Sequence, residues 1–335
     1  FAELVSEALS AAGFDVLEPN MEDFSLRGAF GVINLANFFK NYNAASGDDR
    51  ERIVRGIVDS ALIARDLEFP NWKEAAPTLR AVVRSVRFHQ LIALANRAEG
   101  QTERGLDAAH ERLAPGITLE LAYDTETGTT SIPSDQLARW NVDFKEAMER
   151  AVSNMRDLEE LRLARSPEGF YIAHAQDGYE SGRMATPDLF HRLELAGDPV
   201  VIPSIRNALL VAGSEDEQAL VSMAETALDL MPEGHWVTFS AYIHDGVSWA
   251  RFRPDYDHPV YDILRKLELM ELREDYESQR PHLARVFGKE LFVPQLILAE
   301  KEGRMRSFAT WGEGVPALLP AAASVVFSVL APDDS

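Results

Sequence analysis

The sequence predicts an α+β protein, with a mainly helical amino-terminal region followed by a mixed, largely antiparallel sheet flanked by helices. Three observations carry this. Apolar residues recur at helical spacing before residue 80, and segments from Ile117 onward alternate with a period of two. The strand-like segments also come as hairpins with helices interspersed, without the regular strand–helix alternation of a parallel sheet. The change of character at Pro115-Gly116 divides the chain into a helical region over 1–114 and an α+β region over 115–332, as two domains or as one continuous domain.

Leu4, Ala8, Leu9 and Ala12 form the first helical stripe, and Phe30, Ile33, Leu35, Phe38 and Phe39 the second. Ile53, Ile57, Ala61 and Ile63 form the third, beyond the break at Gly47-Asp48-Asp49. The alternating segment from Val82 to Phe88 reads as the first strand, although propensity alone permits a helix through Ala95. After Pro115-Gly116, Ile117, Leu119, Leu121 and Tyr123 alternate with Thr118, Glu120 and Ala122, so residues 117–123 are expected as a strand with one polar face. A turn over 124–128 leads to a second strand near 129–132.

Asp143 with Glu146 three residues on marks a helix start, with Phe144, Met148, Val152 and Met155 as its buried face. Thr186-Pro187 opens another helix with Thr as cap. Residues 199–204 and 207–212 are short apolar strands meeting at Arg206-Asn207. Ser214 and Glu217 then box the start of a helix carrying Leu220, Met223, Ala224, Ala227 and Leu228. Asp245-Gly246 is a hairpin turn between strands over 235–243 and 247–252. A long helix carries Val260, Ile263, Leu264, Leu267 and Met270. Strands over 291–299, 305–311 and 324–330 complete the chain, ahead of a frayed tail at 332–335.

Composition narrows the function classes. The 335 residues include no cysteine, which rules out disulfides, zinc–thiolate sites and a Cys nucleophile. A net charge of −21 disfavours direct binding to nucleic acid or an anionic membrane, and suits solvation, a basic partner protein or adaptation to salt. No run reaches the length of a membrane span. The chain opens on Phe1 rather than Met, with no signal-peptide pattern near it, so the expected location is cytoplasmic.

Several segments, in order, carry a family likeness: Asp135-Gln136-Leu137-Ala138-Arg139-Trp140, Asn154-Met155-Arg156-Asp157-Leu158, Asp177-Gly178-Tyr179, Pro199-Val200-Val201-Ile202-Pro203, and the hairpin with Trp249. Asp275-Tyr276-Glu277-Ser278-Gln279 and Trp311 ahead of Leu318-Leu319-Pro320 extend it to the carboxy-terminal part. Together they resemble the YtpQ-like bacterial family, a domain family without an assigned activity. The resemblance covers nearly the whole chain and implies architecture rather than chemistry. It departs at Asn207, where an acidic residue follows the Arg in many relatives, and near Ala323, where Asp is usual.

Common catalytic signatures are absent. There is no phosphate-cradling P-loop, and Gly312-Glu313-Gly314 lacks the third glycine of a dinucleotide fingerprint. His110-Glu111 has Ala114 where a metalloprotease helix needs its second His, and no Gly-x-Ser-x-Gly elbow occurs. The leading candidate is a binding cluster of Asp177, Tyr179, Arg183, Arg206 and Asn207. A strand-to-helix turn and a hairpin tip at one sheet edge would set a carboxylate, a phenol and two guanidiniums around a small anion or a partner's carboxylate. The competing reading makes Asp177-Gly178 an ordinary turn and the Arg–Asp pair a structural tie. His244, Asp245, Asp255, Asp257 and His258 could hold a divalent ion, but turn and cap roles explain Asp245 and Asp257, so no metal is expected. His174, inside an apolar strand, reads as a core residue. The expectation is a non-catalytic protein that binds another protein or a small ligand, with no cofactor. The alternative is a hydrolase-type or other enzyme using the Asp177 and Arg206 region.

Overall fold

Apolar residues at helical spacing produce α1 over Ala2–Ala11, which buries Val5 and Leu9. The computed structural model describes residues 1–15, 19, 24–28, 31–65, 69–98, 100, 108–124, 129–157, 163–173, 178–233 and 236–328. The second apolar stripe is not one helix. β1 (Ser25–Gly28) and β2 (Gly31–Asn34) pair as an antiparallel hairpin with Leu26 opposite Ile33, and α2 (Ala36–Ala44) begins only afterwards. Gly31 sits inside the stripe and Gly28 just before it, and glycine costs a helix interior about 1 kcal/mol. α3 (Asp48–Arg65) opens on Asp48, Asp49 and Glu51, acids that suit the positive end of the helix dipole. α4 (Trp72–Ala75) is capped by Asn71, whose side-chain oxygen accepts the Glu74 N–H at 3.3 Å. Val5, Leu9, Phe14, Leu26, Leu35 and Ile57 share one small core.

Phe1–Leu79 with Ala122–Ile132 pack as one unit, and Arg80–Leu121 with Pro133–Ser335 as a second. β3 runs over Leu79–Ser85 and passes directly into α5 (Val86–Ala98), so the expected first strand stops at Ser85. β4 (His110–Ala114) and β5 (Ile117–Asp124) are antiparallel, and the strands lie in the order β3-β5-β4. β6 (Thr129–Ser131) pairs with Ala122–Asp124 of β5, within the first unit. Among the described residues the region before residue 115 is thus mainly helical yet contributes four strands. The polar face expected on β5 does not exist: Thr118 and Glu120 are as buried as Ile117 and Leu121.

α6 covers Ser134–Trp140 and α7 covers Phe144–Asp157. Asp143 caps α7 as expected, its Oδ1 accepting the Glu146 N–H at 2.8 Å. The buried face is Ala147, Met148, Ala151 and Met155, rotated from the expected Phe144 and Val152. β7 (Leu163–Arg165), β8 (Tyr171–Ala173), β9 (Pro199–Ile205) and β10 (Ala208–Gly213) follow, then α8 (Glu217–Leu230), β11 (Tyr242–His244) and β12 (Trp249–Arg251). Together these strands build a six-stranded sheet in the order β12-β11-β9-β10-β8-β7, antiparallel throughout.

Every residue of β9 and β10 is buried, which is why both read as continuous apolar runs rather than alternations. On one face Val200, Ile202 and Leu210 meet Leu220, Met223 and Ala224 of α8 and Leu267 of α9 (Tyr261–Phe287). Each such side chain contributes about 1.5–3 kcal/mol on burial. The α8 cap is Asp216, which accepts the Ala219 N–H at 3.0 Å; Ser214 instead accepts the Asp198 N–H at 2.9 Å. Thr186 likewise caps nothing: its hydroxyl donates to Arg183 O, and Pro187–Arg192 is a 3-10 helix.

The strand expected over 235–243 is reduced to β11. A buried carboxylate takes its place: Glu271 of α9 accepts the Phe239 N–H at 2.9 Å and the Thr238 hydroxyl at 3.0 Å through one oxygen. A backbone N–H satisfied in this way needs no ladder partner. The last sheet has β13 (Ile297–Lys301) antiparallel to β14 (Arg304–Gly312), and β15 (Ser324–Ser328) parallel to β14. The strand expected over 291–299 therefore starts late, since Pro294 has no N–H to give a ladder. Residues 329–330 of the last expected strand, and the tail at 332–335, lie outside the described residues.

Candidate functional site

The turn joining β9 to β10 holds Arg206 and Asn207 at the surface, where a tight antiparallel connection leaves its two central side chains exposed. Gly178 lies beside it. A Cβ added there would be 3.7 Å from Arg206 Nε, and the Gly178 φ of +75° is one that glycine adopts readily. Tyr179 follows and is buried, with the Arg80 guanidinium 5.9 Å from its ring centroid. Arg183 sits on the 3-10 helix Ser181–Ala185 and is also buried. Asp177, like His174, lies outside the described residues. The structure thus brings Arg206 to the Gly178-Tyr179 segment, with Asn207 next to it on the turn.

β3 contributes to the same neighbourhood. Arg84 lies close enough to Arg206, Tyr179 and Glu120 for each to act on its charge. Burial lowers the Arg84 pKa; Glu120 opposes this, Arg206 adds to it, and Tyr179 opposes it. Thr118 links the strands, its hydroxyl donating to Arg84 O at 3.4 Å. His89 of α5 adds Nε2, 3.4 Å from Glu120 Oε2 and 3.3 Å from Thr118 Oγ1.

Since the Thr118 hydrogen is directed at Arg84 O, the proton between His89 and Thr118 belongs on His89 Nε2. That leaves Nδ1 as a lone-pair acceptor with no hydrogen-bond partner among the described residues. Burial pushes the His89 pKa down; Glu120 resists the shift, and His110 and Arg84 add to it. The His110 ring stacks on His89 at 4.9 Å and donates from Nδ1 to Ala108 O at 2.7 Å.

Sequence reasoning missed Arg84, Glu120, His89 and His110. A signal for Glu120 existed in hindsight: it is a carboxylate among Ile117, Leu119 and Leu121. Alternation assigns it to an outer face, and only tertiary cover reverses that.

The second candidate group turns out differently. Asp245 Oδ1 accepts the Val247 and Ser248 N–H groups at 2.9 and 2.8 Å and so builds the hairpin tip. His258 Nδ1 accepts the Val260 N–H at 3.2 Å, and no side chain caps α9, so Asp257 does not cap it as expected. His244 is buried, and its Nδ1 accepts the Gly246 N–H at 3.1 Å and faces His191 Nε2 at 2.9 Å.

Burial lowers the His244 pKa, and the nearby His191 adds to the effect against Asp245 and Asp198. A folded pKa below the ordinary imidazole value of about 6.5 means that the unfolded chain binds the proton more tightly. This contribution to stability is present above that value and is lost as pH falls through it. His244→Asn keeps an acceptor near Nδ1 and removes the titration. Thermal melts should then show a smaller stability loss between neutral and mildly acidic pH than in the unmodified chain; an equal loss in both would refute the assignment.

Among the described residues no helix is long and apolar enough to cross a membrane. No family model matches the chain, and neither the curated proteins nor the solved structures include a significant match.

Proposed function

We propose that the protein binds a small anionic ligand, carrying phosphate or carboxylate, where Arg84, Tyr179 and Arg206 approach one another, and that it acts by binding rather than by turnover. The observation that carries this reading is that two guanidiniums from separate elements act on each other's charge, one half-buried on β3 and one exposed on the β9–β10 turn. Like charges repel, so Arg206 makes the charge on Arg84 harder to hold, even with Glu120 acting against that effect. An anion shared between the two groups would relieve the repulsion, and guanidinium is suited to bidentate contact with planar or tetrahedral oxyanions. A cytoplasmic setting and a basic partner protein drawn to the acidic surface belong to the same proposal, as does the YtpQ-like likeness.

The test is thermal melting with inorganic phosphate, pyrophosphate and a dicarboxylate. A ligand at a hundred times its dissociation constant stabilises by about 2.7 kcal/mol. At least one of these anions should raise the melting point, and Arg206→Ala should abolish the rise while leaving the ligand-free melting point within about 0.5 kcal/mol of stability, as for other exposed sites. No rise with any anion would end this reading, as would a rise that persists in Arg206→Ala.

One observation favours an enzyme instead. His89 Nε2 carries its proton toward Thr118, with Glu120 Oε2 3.4 Å away, so its Nδ1 is left as the base. A general base acting next to a bound oxyanion is hydrolase-type chemistry. Turnover of a phosphate or carboxylate ester that disappears in His89→Gln would favour this second reading.

A further inference from the structure

The carboxy-terminal sheet ends on an edge that lacks the usual protections. β15 pairs with β14 and with no other described strand. All five of its residues are exposed, with Val325 at 45%, Val326 at 49% and Phe327 at 51%. Natural edge strands discourage further pairing with lysine, proline, a bulge or an inward charge. Ser324-Val325-Val326-Phe327-Ser328 has no ionisable side chain and no proline.

The phase of the backbone is also known. The Glu313 N–H donates to Ser328 O at 3.0 Å, so the Ser328 carbonyl faces β14. By alternation Ser324 and Val326 face β14 too, which turns the N–H and C=O of Val325 and Phe327 outward.

We propose that β15 is the seam of an isologous homodimer, in which two copies pair this strand antiparallel about a two-fold axis at Val326 and merge two three-stranded sheets into one of six. The segment reads nearly the same in both directions. Centring on Val326 sets Ser324 against Ser328, Val325 against Phe327 and Val326 against itself. In this register Val325 and the second copy's Phe327 form a hydrogen-bonded pair that exchanges both backbone bonds, as do Phe327 and the second copy's Val325. The four groups that face outward are therefore the four such a pairing consumes, and a closed two-fold contact leaves no free edge at the seam.

The side chains fit the same operator. Val325 and Phe327 share a face, and Phe327 packs edge-on against Trp311 at 5.4 Å. The two-fold places Val325 of each copy beside Phe327 of the other, making a continuous apolar strip bounded by the two Trp311 rings. Aromatic and β-branched pairs of this kind are favourable cross-strand neighbours. Charge narrows the choice of occupant. Two chains of −21 repel over most of their surface and can meet only through an uncharged seam, so association should strengthen as salt screens the repulsion.

Sedimentation of the full chain over a wide range of concentration, in low and high salt, is the test. The expected result is a concentration-dependent doubling of mass that salt favours. Val326→Lys would set two ammonium groups directly opposite each other at the axis, and Val325→Pro would remove an outward N–H without touching the β14 ladder. Each should raise the dissociation constant about tenfold or more. Because β15 is exposed, Val326→Lys should keep the wild-type melting point when measured at concentrations where both chains are monomeric. If Val325→Pro fails to fold, Val326→Lys alone decides. A monomer under every condition overturns the proposal and leaves the edge to some other partner. A dimer that survives Val326→Lys overturns it as well, since the contact then lies elsewhere.

Discussion

Gly182→Ala is expected to cost roughly 3 kcal/mol or more, a large fraction of a domain's stability. A Cβ at this position would lie 2.1 Å from the carbonyl oxygen of Ala81 and 3.1 Å from Met155 Cε. The first of these neighbours is backbone within β3, so relief requires the strand or the 3-10 helix Ser181–Ala185 to move. Both carry parts of the candidate site, Arg84 on one and Arg183 on the other. Gly246→Ala is the control. Gly246 has a φ of +90° and nothing within 4 Å of the added carbon, so it should lose only the conformational cost of about 1–2 kcal/mol. Urea unfolding of both variants gives the comparison. A Gly182→Ala chain as stable as the Gly246→Ala chain would show that β3 does not approach so closely.

Glu271→Ala should be comparably damaging, at about 3–5 kcal/mol, since removing one partner of a buried charged pair strands the rest. The Phe239 N–H and the Thr238 hydroxyl lose their acceptor. Arg87, 3.5 Å from Glu271 Oε1, is left with Asp275 at 2.5 Å. Burial pushes the pKa of both carboxyls up, against the pull of Arg87. A raised folded pKa means that the native state holds the proton more tightly than the unfolded chain. The stabilising contribution is therefore complete below the ordinary carboxylate range, and it is lost as pH rises through the folded value. Glu271→Gln is neutral at every pH, so the unmodified chain should gain on it as pH is lowered from neutral into that range. A constant difference between the two chains across this interval would contradict the burial argument.

The same glutamate explains why part of the fold could not be read locally. Residues 237–241 have the composition of a strand, but the Phe239 N–H is taken up by a carboxylate more than thirty residues away on α9. No window on the sequence contains both partners. β9 and β10 were legible because Pro199 and the Arg206-Asn207 turn bound two apolar runs of strand length. α7 was legible through Asp143. The hairpin of β1 and β2 was hidden because Phe30 with Ile33, and Leu35 with Phe38 and Phe39, also sit at helical spacing. At the candidate site, Tyr179, Arg183, Arg206 and Asn207 stood out as polar or aromatic residues near turns. Arg84 and Glu120 did not, because a polar residue in an alternating strand reads as outward-facing until another layer covers it.

The β9–β10 hairpin has a consequence for how the molecule assembles. Its two strands are joined by a two-residue turn, so little loop-closure entropy opposes their pairing, and both faces end fully buried. Arg206 thus acquires its position from contacts local in sequence. Arg84 lies on a strand more than a hundred residues earlier, and its approach requires closing a long loop against an existing sheet. The hairpin tip is in place first and the second guanidinium arrives later, against like charge. Any ligand that bridges the two would fasten a contact between residues far apart in sequence.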